Sequence, residues 1–385
     1  MEKLLEIKDL VTNFYTYEGI VQALNRITLD VEKGVTFGLV GESGCGKSVL
    51  VRSIMRIVQS PGVIEGGQIL FHQSRNGKQR TIDLLQQSEK TMQGIRGAEI
   101  SMIFQEPNAA LNPILSIGEQ VSESFLFHLS EEMCAKVLDD LRDPQDSTFP
   151  VWKGFLKVAY AIGSCNSQSR FLKLFKKIPG LSRWDRRLKR EAIRRSIDMI
   201  GKLHVPYPEN VVNSYPHNLS GGMKQRIVIA IALACNPELL IADEATSNLD
   251  VTVQAQILEL LNELKKEIIS SIMLITHDLG VVAETCEQVG VMYAGNLCEV
   301  GYVSDIFRNP QHPYTRALLK SVPKYSSEGL LETIEGIVPN LVKPPSGCRF
   351  HPRCPLAMEI CKQKVPELKP YDSNDHHAVA CYAVH

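Results

Sequence analysis

Hydrophobic and polar positions follow two regimes along this chain. Short apolar runs that stop abruptly stand at residues 35–40, 239–242 and 272–275, and each predicts a buried strand. The stretch 26–40 reads as two β-rich segments around Glu32-Lys33-Gly34, the second running straight into a glycine loop. Residues 49–58 predict a helix behind that loop. Strands interleaved with helical stretches predict an α/β fold with a mostly parallel sheet and helices on its faces. Between about 121 and 203 the pattern turns charged and helix-periodic, and 170–195 carries eleven Lys or Arg against two acids, Asp185 and Glu191. Beyond Gly301 breakers dominate: Asn309-Pro310-Gln311-His312-Pro313, then Pro339, Pro344 and Pro345. That predicts a loop-rich tail.

Composition narrows the class. A chain of 385 residues suits one large α/β domain with an appendage. Lys plus Arg is 42 against Asp plus Glu 43, so the net charge of -1 gives no global field for nucleic acid or an acidic substrate. The start, Met1-Glu2-Lys3-Leu4-Leu5-Glu6, is mixed and acidic where a secretory signal needs a basic patch and an apolar run, so a cytosolic location is expected. The longest apolar run, Ile227 to Cys235, is nine residues, far below the roughly 20 of a membrane-spanning helix. Ten cysteines in such a chain argue for thiols or metal ligation rather than disulfides. Four of them, Cys348, Cys354, Cys361 and Cys381, fall in the last 38 residues.

The chemistry starts at Gly41-Glu42-Ser43-Gly44-Cys45-Gly46-Lys47-Ser48, which fits G-x-x-x-x-G-K-[ST] between a predicted strand and a predicted helix opening at Val49. Glycines let such a loop curl so that backbone N–H groups face phosphate oxygens, and the helix N-terminus adds partial positive charge. Gly41, Ser43, Gly44, Cys45, Gly46 and Val49 are candidate ATP contacts, Lys47 reaches the β- and γ-phosphates, and Ser48 is a Mg²⁺ ligand. Asp243 and Glu244 close a buried strand, where one carboxylate can hold Mg²⁺ and the next can deprotonate water. Metal goes to Asp243 and the general base to Glu244.

Leu219-Ser220-Gly221-Gly222-Met223-Lys224-Gln225-Arg226 resembles the signature segment of ABC ATPases, at the place where that family carries it. Physically, Ser220, Gly221 and Gly222 at a helix start form a second anion cradle. In the resembled family the phosphate loop and the signature of one site come from different subunits, which implies two chains around two nucleotides. The resemblance also implies that Gln105 senses Mg²⁺ and the attacking water, that His277 contacts the γ-phosphate, and that Ser247-Asn248-Leu249-Asp250 crosses to the partner. Tyr17 is the candidate for stacking on adenine, with Tyr15 as runner-up. Ala245 and Asn248 depart from the usual proline and alanine, but neither removes a phosphate contact.

Three further stretches resemble the dipeptide/oligopeptide/nickel importer ATPases: 250–257, the pair 280–284 and 291–295, and Asn309-Pro310-Gln311-His312-Pro313-Tyr314-Thr315-Arg316-Ala317-Leu318-Leu319. The likeness implies a RecA-like phosphate-loop ABC ATPase core (1–120 and 204–300), a helical subdomain with a basic insert and the signature (121–223), and a loop-rich cysteine extension (301–385). It implies a second, different ATPase subunit, two transmembrane permease subunits and an external solute-binding protein as partners, without nucleic acid, at the cytoplasmic face of the membrane. The cargo it implies is an oligopeptide or a related oligosaccharide or nickel chelate. A soluble ABC ATPase acting on nucleic acid or ribosomes is the competing class; one cassette, no sustained heptads and neutral charge argue against it.

The tail spacing Cys348-x5-Cys354-x6-Cys361-x19-Cys381 lacks the two-to-four-residue pairs common in structural zinc sites and suits the looser ligation of an iron–sulfur cluster. Family tails that resemble this one are associated with a [4Fe–4S] cluster; zinc, helped by His351, His376 and His377, and free thiols stay open. In the insert, Val151-Trp152-Lys153-Gly154-Phe155-Leu156 and Phe171-Leu172-Lys173-Leu174-Phe175-Lys176-Lys177 suit either anionic lipid or a packed helix pair. Cys45, at a helix N-terminus beside Lys47, is in an environment that lowers a thiol pKa, so it is expected to be either reactive or an inert filler.

Overall fold

The computed structural model describes residues 2–75, 78–142, 150–165, 185–245, 249–267, 271–321, 334–371 and 374–384. The basic stretch 171–177 and Ser247-Asn248 lie outside the described residues. The chain divides into two compact units, one made of Met1–Arg96, Glu238–Ser247 and Leu261–His385, the other of Gly97–Pro237 and Asn248–Leu260.

The first unit holds two sheets. β1 (Lys3–Thr16) and β2 (Gly19–Glu32) form a long antiparallel hairpin, continued by β4 (Gly62–Arg75) and β5 (Lys78–Asp83) in the order β2-β1-β4-β5. The sequence pattern had suggested one mostly parallel sheet; this antiparallel sheet is an addition to it. Its strands alternate buried and exposed positions only irregularly, with Leu5, Ile7 and Leu10 of β1 fully buried.

The second sheet is built around β3 (Thr36–Val40), buried at every position. β3 pairs in parallel with β8 (Ser271–Ile275) and β9 (Gln288–Tyr293), and β7 (Leu239–Asp243) pairs in parallel with β8. Burial on both faces explains why these strands read as unbroken apolar runs. Because β3, β7 and β8 run the same way, the residues that follow each emerge on one edge of the sheet, where open α/β sheets place ligands.

The tail is loop-rich but carries regular elements as well. It contributes helices Val303–Arg308 and Pro313–Lys320, and β10 (Asn296–Tyr302) pairs antiparallel with both β9 and β12 (Asn374–Val379), so the sheet continues into the tail. It also shares a core with the sheet: Phe350 is buried with ring contacts to Tyr293 and Tyr314 at 5.1 and 5.4 Å. A segment poor in apolar residues is thereby held without a core of its own. Glu299, fully buried on β10, accepts from the backbone N–H groups of Gln311 (2.7 Å) and His312 (3.0 Å) and sits 2.8 Å from His377 Nε2. These bonds are what the Asn-Pro-Gln-His-Pro stretch serves locally.

The second unit is mainly helical, as the charged periodic pattern predicts: Ile117–His128, Ser130–Asp140, Pro150–Cys165, Asp185–Lys202 and Gly221–Leu233. The first of these starts in a Ser116/Glu119 capping box. Glu191, almost fully buried, is gripped by Arg194, Lys136 and Arg195, which ties two helices together and holds its carboxyl at about 2. No helix among the described residues is long and apolar enough to cross a membrane.

Candidate active site

The loop after β3 owes its shape to backbone conformations that side chains rarely adopt. Gly46 sits at φ 105° just before the helix Lys47–Ile54, and a Cβ there would lie 2.7 Å from the Ala23 carbonyl oxygen. At Gly41 a Cβ would lie 2.1 Å from the Met292 carbonyl oxygen. Only glycine lets the chain curl this tightly against β9. Within the curl Lys47 is buried, and its ammonium donates to the carbonyls of Gly41 (2.8 Å) and Glu42 (3.2 Å). Ser43 and Gly44 are exposed on the loop, and Val49 lies partly buried in the helix.

Ser48 Oγ donates to Asp243 Oδ1 at 3.0 Å, which joins the loop to the end of β7. A hydroxyl and a carboxylate this close are the hard oxygen donors that Mg²⁺ takes. Burial raises the Asp243 pKa, partly offset by Ser48, so a divalent cation would find a carboxylate short of compensating charge. Glu244 follows at φ 47°, a left-handed backbone that is strained for a residue with a side chain. Its N–H is fixed to the Ile275 carbonyl at 2.9 Å, and His277 Nδ1 lies 3.5 Å from its Oε1. Lys47, Ser48, Asp243, Glu244 and His277 thus come from three parallel strands onto one edge.

Gln105 and the signature residues belong to the other unit. Gln105 is exposed between the strand Ile100–Ile103 and the short helix Pro107–Ala110. Ser220 caps the helix Gly221–Leu233, its hydroxyl accepting from Met223 N at 3.4 Å. Gly221 is exposed with open space around it, and Gly222 approaches Val253 so closely that a Cβ would lie 3.0 Å from Cγ1.

Tyr17, in the tight turn between β1 and β2, is 98% exposed and offers a whole ring face to solvent. Tyr15 instead donates its hydroxyl to Glu65. Of the two readings of Cys45, burial favours the inert filler: the side chain is 1% exposed, and burial pushes its pKa up, outweighing Lys47. One residue at the site had no signal in the sequence. Arg353, from the tail, forms a two-pronged ion pair with Glu42 of the phosphate loop, at 2.9 and 3.2 Å. A partner 311 positions away leaves no local pattern to read.

Cys348, Cys354, Cys361 and Cys381 line one cavity together with His312 and His351. All are free thiols, and burial pushes Cys348 up to about 11, with the neighbouring cysteines adding to it. Among the described residues no three Cys, His, Asp or Glu are placed to hold a single metal ion.

A glycine loop, a buried Mg²⁺-type oxygen pair and a carboxylate beside histidine define a phosphate-loop nucleotide hydrolase. Comparison with known proteins refines this. Residues 24–247 match the ABC transporter family and residues 298–361 match the oligopeptide/dipeptide transporter C-terminal region. The chain is 40% identical to the dipeptide transport ATP-binding protein DppD of Bacillus subtilis, covering 99% of this chain and 95% of that one. It is also 40% identical to the oligopeptide transport ATP-binding protein OppD of Salmonella typhimurium, covering 94% and 89%. The dimeric ATP-binding cassette MJ0796 superposes with a TM-score of 0.54 at 21% identity over 78% of this chain and 99% of that one, and cbiO1 from Clostridium perfringens with 0.53 at 23% over 80% and 92%. These two show the shared fold alone.

The chain belongs to the ABC transporter family, within the group of dipeptide and oligopeptide transport ATP-binding proteins. It is an ATPase, for which ATP and Mg²⁺ are the expected ligands. The tail match disfavours the soluble nucleic-acid or ribosome reading.

Proposed function

We propose that this chain powers import of oligopeptides, or of a related oligosaccharide or nickel chelate, as a peripheral subunit on the cytoplasmic face of the membrane. Its partners in this reading are a second, different ATPase, two permease subunits and an external solute-binding protein. The observation that carries it is the matched tail region on the same chain as the ATP site, supported by relatives named for peptide transport. The functional division follows the 1–120 and 204–300 core, the 121–223 helical part and the 301–385 extension.

In this reading Lys47 and the N–H groups of Gly44 and Gly46 hold the triphosphate, Ser48 and Asp243 hold Mg²⁺, and Tyr17 stacks on adenine. Glu244 takes the proton from the attacking water, while His277 keeps the carboxylate oriented and meets the γ-phosphate. Gln105 senses water and metal. Ser220, Gly221 and Gly222 serve the ATP on the partner's loop, the helix dipole adding to an anion cradle. Closure of two such subunits around ATP is the event that drives the permeases between inward and outward access.

Cys348, Cys354, Cys361 and Cys381 would hold a [4Fe–4S] cluster. What supports this is the cavity that the four thiols share. When bound, such a group supplies structural cross-linking or redox chemistry, and its positive charge offsets the cost of deprotonating buried thiols.

The test is reconstitution: the chain, co-expressed with the permease and second ATPase subunits of this reading, should hydrolyse ATP faster when the loaded binding protein is added. Turnover indifferent to those partners and to any peptide, sugar or chelate would sink the importer reading.

A further inference from the structure

Glu42 is a carboxylate within the loop that grips polyphosphate, and nothing in the nucleotide chemistry asks for a negative charge there. Its surroundings account for it. The Arg353 guanidinium, 6% exposed, meets Glu42 Oε2 at 2.9 Å through one nitrogen and Oε1 at 3.2 Å through the other. The same guanidinium donates to Tyr293 Oη (3.1 Å) and to the carbonyls of Glu335 (2.9 Å) and Ile334 (3.2 Å), so every arm of the fork is fixed. The backbone N–H of Glu42 donates to Tyr314 Oη at 3.0 Å. The tail therefore holds this loop residue by both its backbone and its side chain. Arg353 directly precedes Cys354, and Arg349 at the other end of the same cysteine-flanked segment is anchored on the carbonyls of Gln22 and Ala294.

We propose that Arg353 is a positioning residue for nucleotide binding: it neutralises Glu42 and pins the phosphate loop, so that the C-terminal segment sets the affinity for ATP. This rests on reading the loop as the triphosphate cradle. The same carbonyls of Gly41 and Glu42 orient the Lys47 ammonium, so a shift of Glu42 moves the loop's cation as well. A bidentate, largely desolvated pair is specific in direction, and removing one member leaves the other charge unmatched. Without Arg353 the Glu42 carboxylate faces the incoming triphosphate and repels it.

The full-length chain is the test material, with Mg-ATP binding measured by calorimetry, steady-state turnover measured in the assembled transporter, and thermal melting as the control for folding. Arg353→Met should raise Kd and KM for ATP on the order of tenfold, a modest share of what two charges a few ångström apart exchange near a protein surface. Because Arg353 touches no reacting atom, kcat should stay within about twofold. Adding Glu42→Gln to Arg353→Met should restore affinity, since the unmatched carboxylate is then gone. Unchanged affinity in Arg353→Met overturns the proposal. Weak binding that Glu42→Gln fails to restore also overturns it, because the arginine would then act only by holding the tail. Should Arg353→Met not fold, the double variant decides: binding like the parent chain supports the proposal and weak binding overturns it. A parent chain that does not bind Mg-ATP at all overturns the nucleotide reading, and this proposal with it.

Discussion

His277 Nδ1 stands 3.5 Å from Glu244 Oε1, so a residue just past β8 and the residue after β7 meet at the carboxylate proposed for proton transfer. Glu244 reaches this place through a left-handed backbone at φ 47°. Strain of that kind persists only where neighbours over-determine the geometry, and the bond from Glu244 N to the Ile275 carbonyl is one such restraint.

Replacing this base should separate binding from chemistry. Glu244→Gln is expected to bind Mg-ATP with the parent's affinity while turnover falls by about 10²–10⁴-fold, the range of general-base contributions. His277→Ala should lower kcat by a smaller factor, because it removes the orienting partner and not the base. Phosphate release from the assembled transporter measures both, and a Glu244→Gln enzyme with near-normal turnover would refute the assignment.

Gly46→Ala tests the loop's shape. At φ 105° with the Ala23 carbonyl 2.7 Å from the would-be Cβ, the substitution should cost about 1–3 kcal/mol and abolish ATP binding. Chemical denaturation and calorimetry give the two numbers.

The Cys45 thiol should be inert. At 1% exposure with a raised pKa, it should react with iodoacetamide at neutral pH far more slowly than Cys165, which is exposed. Mass spectrometry after timed alkylation should show Cys165 modified first and ATPase activity retained in Cys45→Ser.

Acid should loosen the tail before it harms the parallel sheet. Burial lowers His312 to about 4, and its Nδ1 accepts from Tyr314 N at 3.0 Å, which requires that nitrogen unprotonated. The folded state binds fewer protons than the unfolded one, so this contribution is complete above about 6.5 and is lost as pH falls toward 4. The linked free energy is about 3 kcal/mol at most. Glu299, whose pKa is lowered by His377 and its other bonds against the cost of burial, loses its contribution only below the ordinary carboxylate range. Protection against hydrogen exchange across residues 299–315, taken relative to the intrinsic amide rate at each pH, should therefore fall between pH 6.5 and 4, and His312→Gln should remove that step.

Iron analysis checks the cysteine cavity. The chain purified without oxygen should carry iron and sulfide in equal amounts with a broad visible absorption, and Cys354→Ser should lose both. Zinc alone in the parent protein would refute the cluster.

Much of the site was legible before any fold was known. The loop 41–48 and the Asp243–Glu244 pair are local patterns, because backbone N–H groups and a strand end need a particular residue at a fixed spacing, whereas His277 and the Leu219–Gly222 stretch stand out by their resemblance to the ABC ATPases. The parallel strands were equally plain, since burial on both faces leaves unbroken apolar runs. What stayed hidden was whatever joins distant positions. The hairpin sheet of β1 and β2 alternates too irregularly to announce its partners, with several register shifts along the ladder. The tail read as loop, because its core residues Tyr293, Tyr314 and Phe350 come from three separate stretches and its strand is completed by β10. The ion pair of Glu42 with Arg353 and the lifted pKa of Cys45 depend on burial and on contacts across the chain. Sequence alone marked the groups proposed to handle a triphosphate; only tertiary structure decided which charges face each other in the dry interior, because charge pairing and desolvation are set by three-dimensional proximity and not by spacing along the chain.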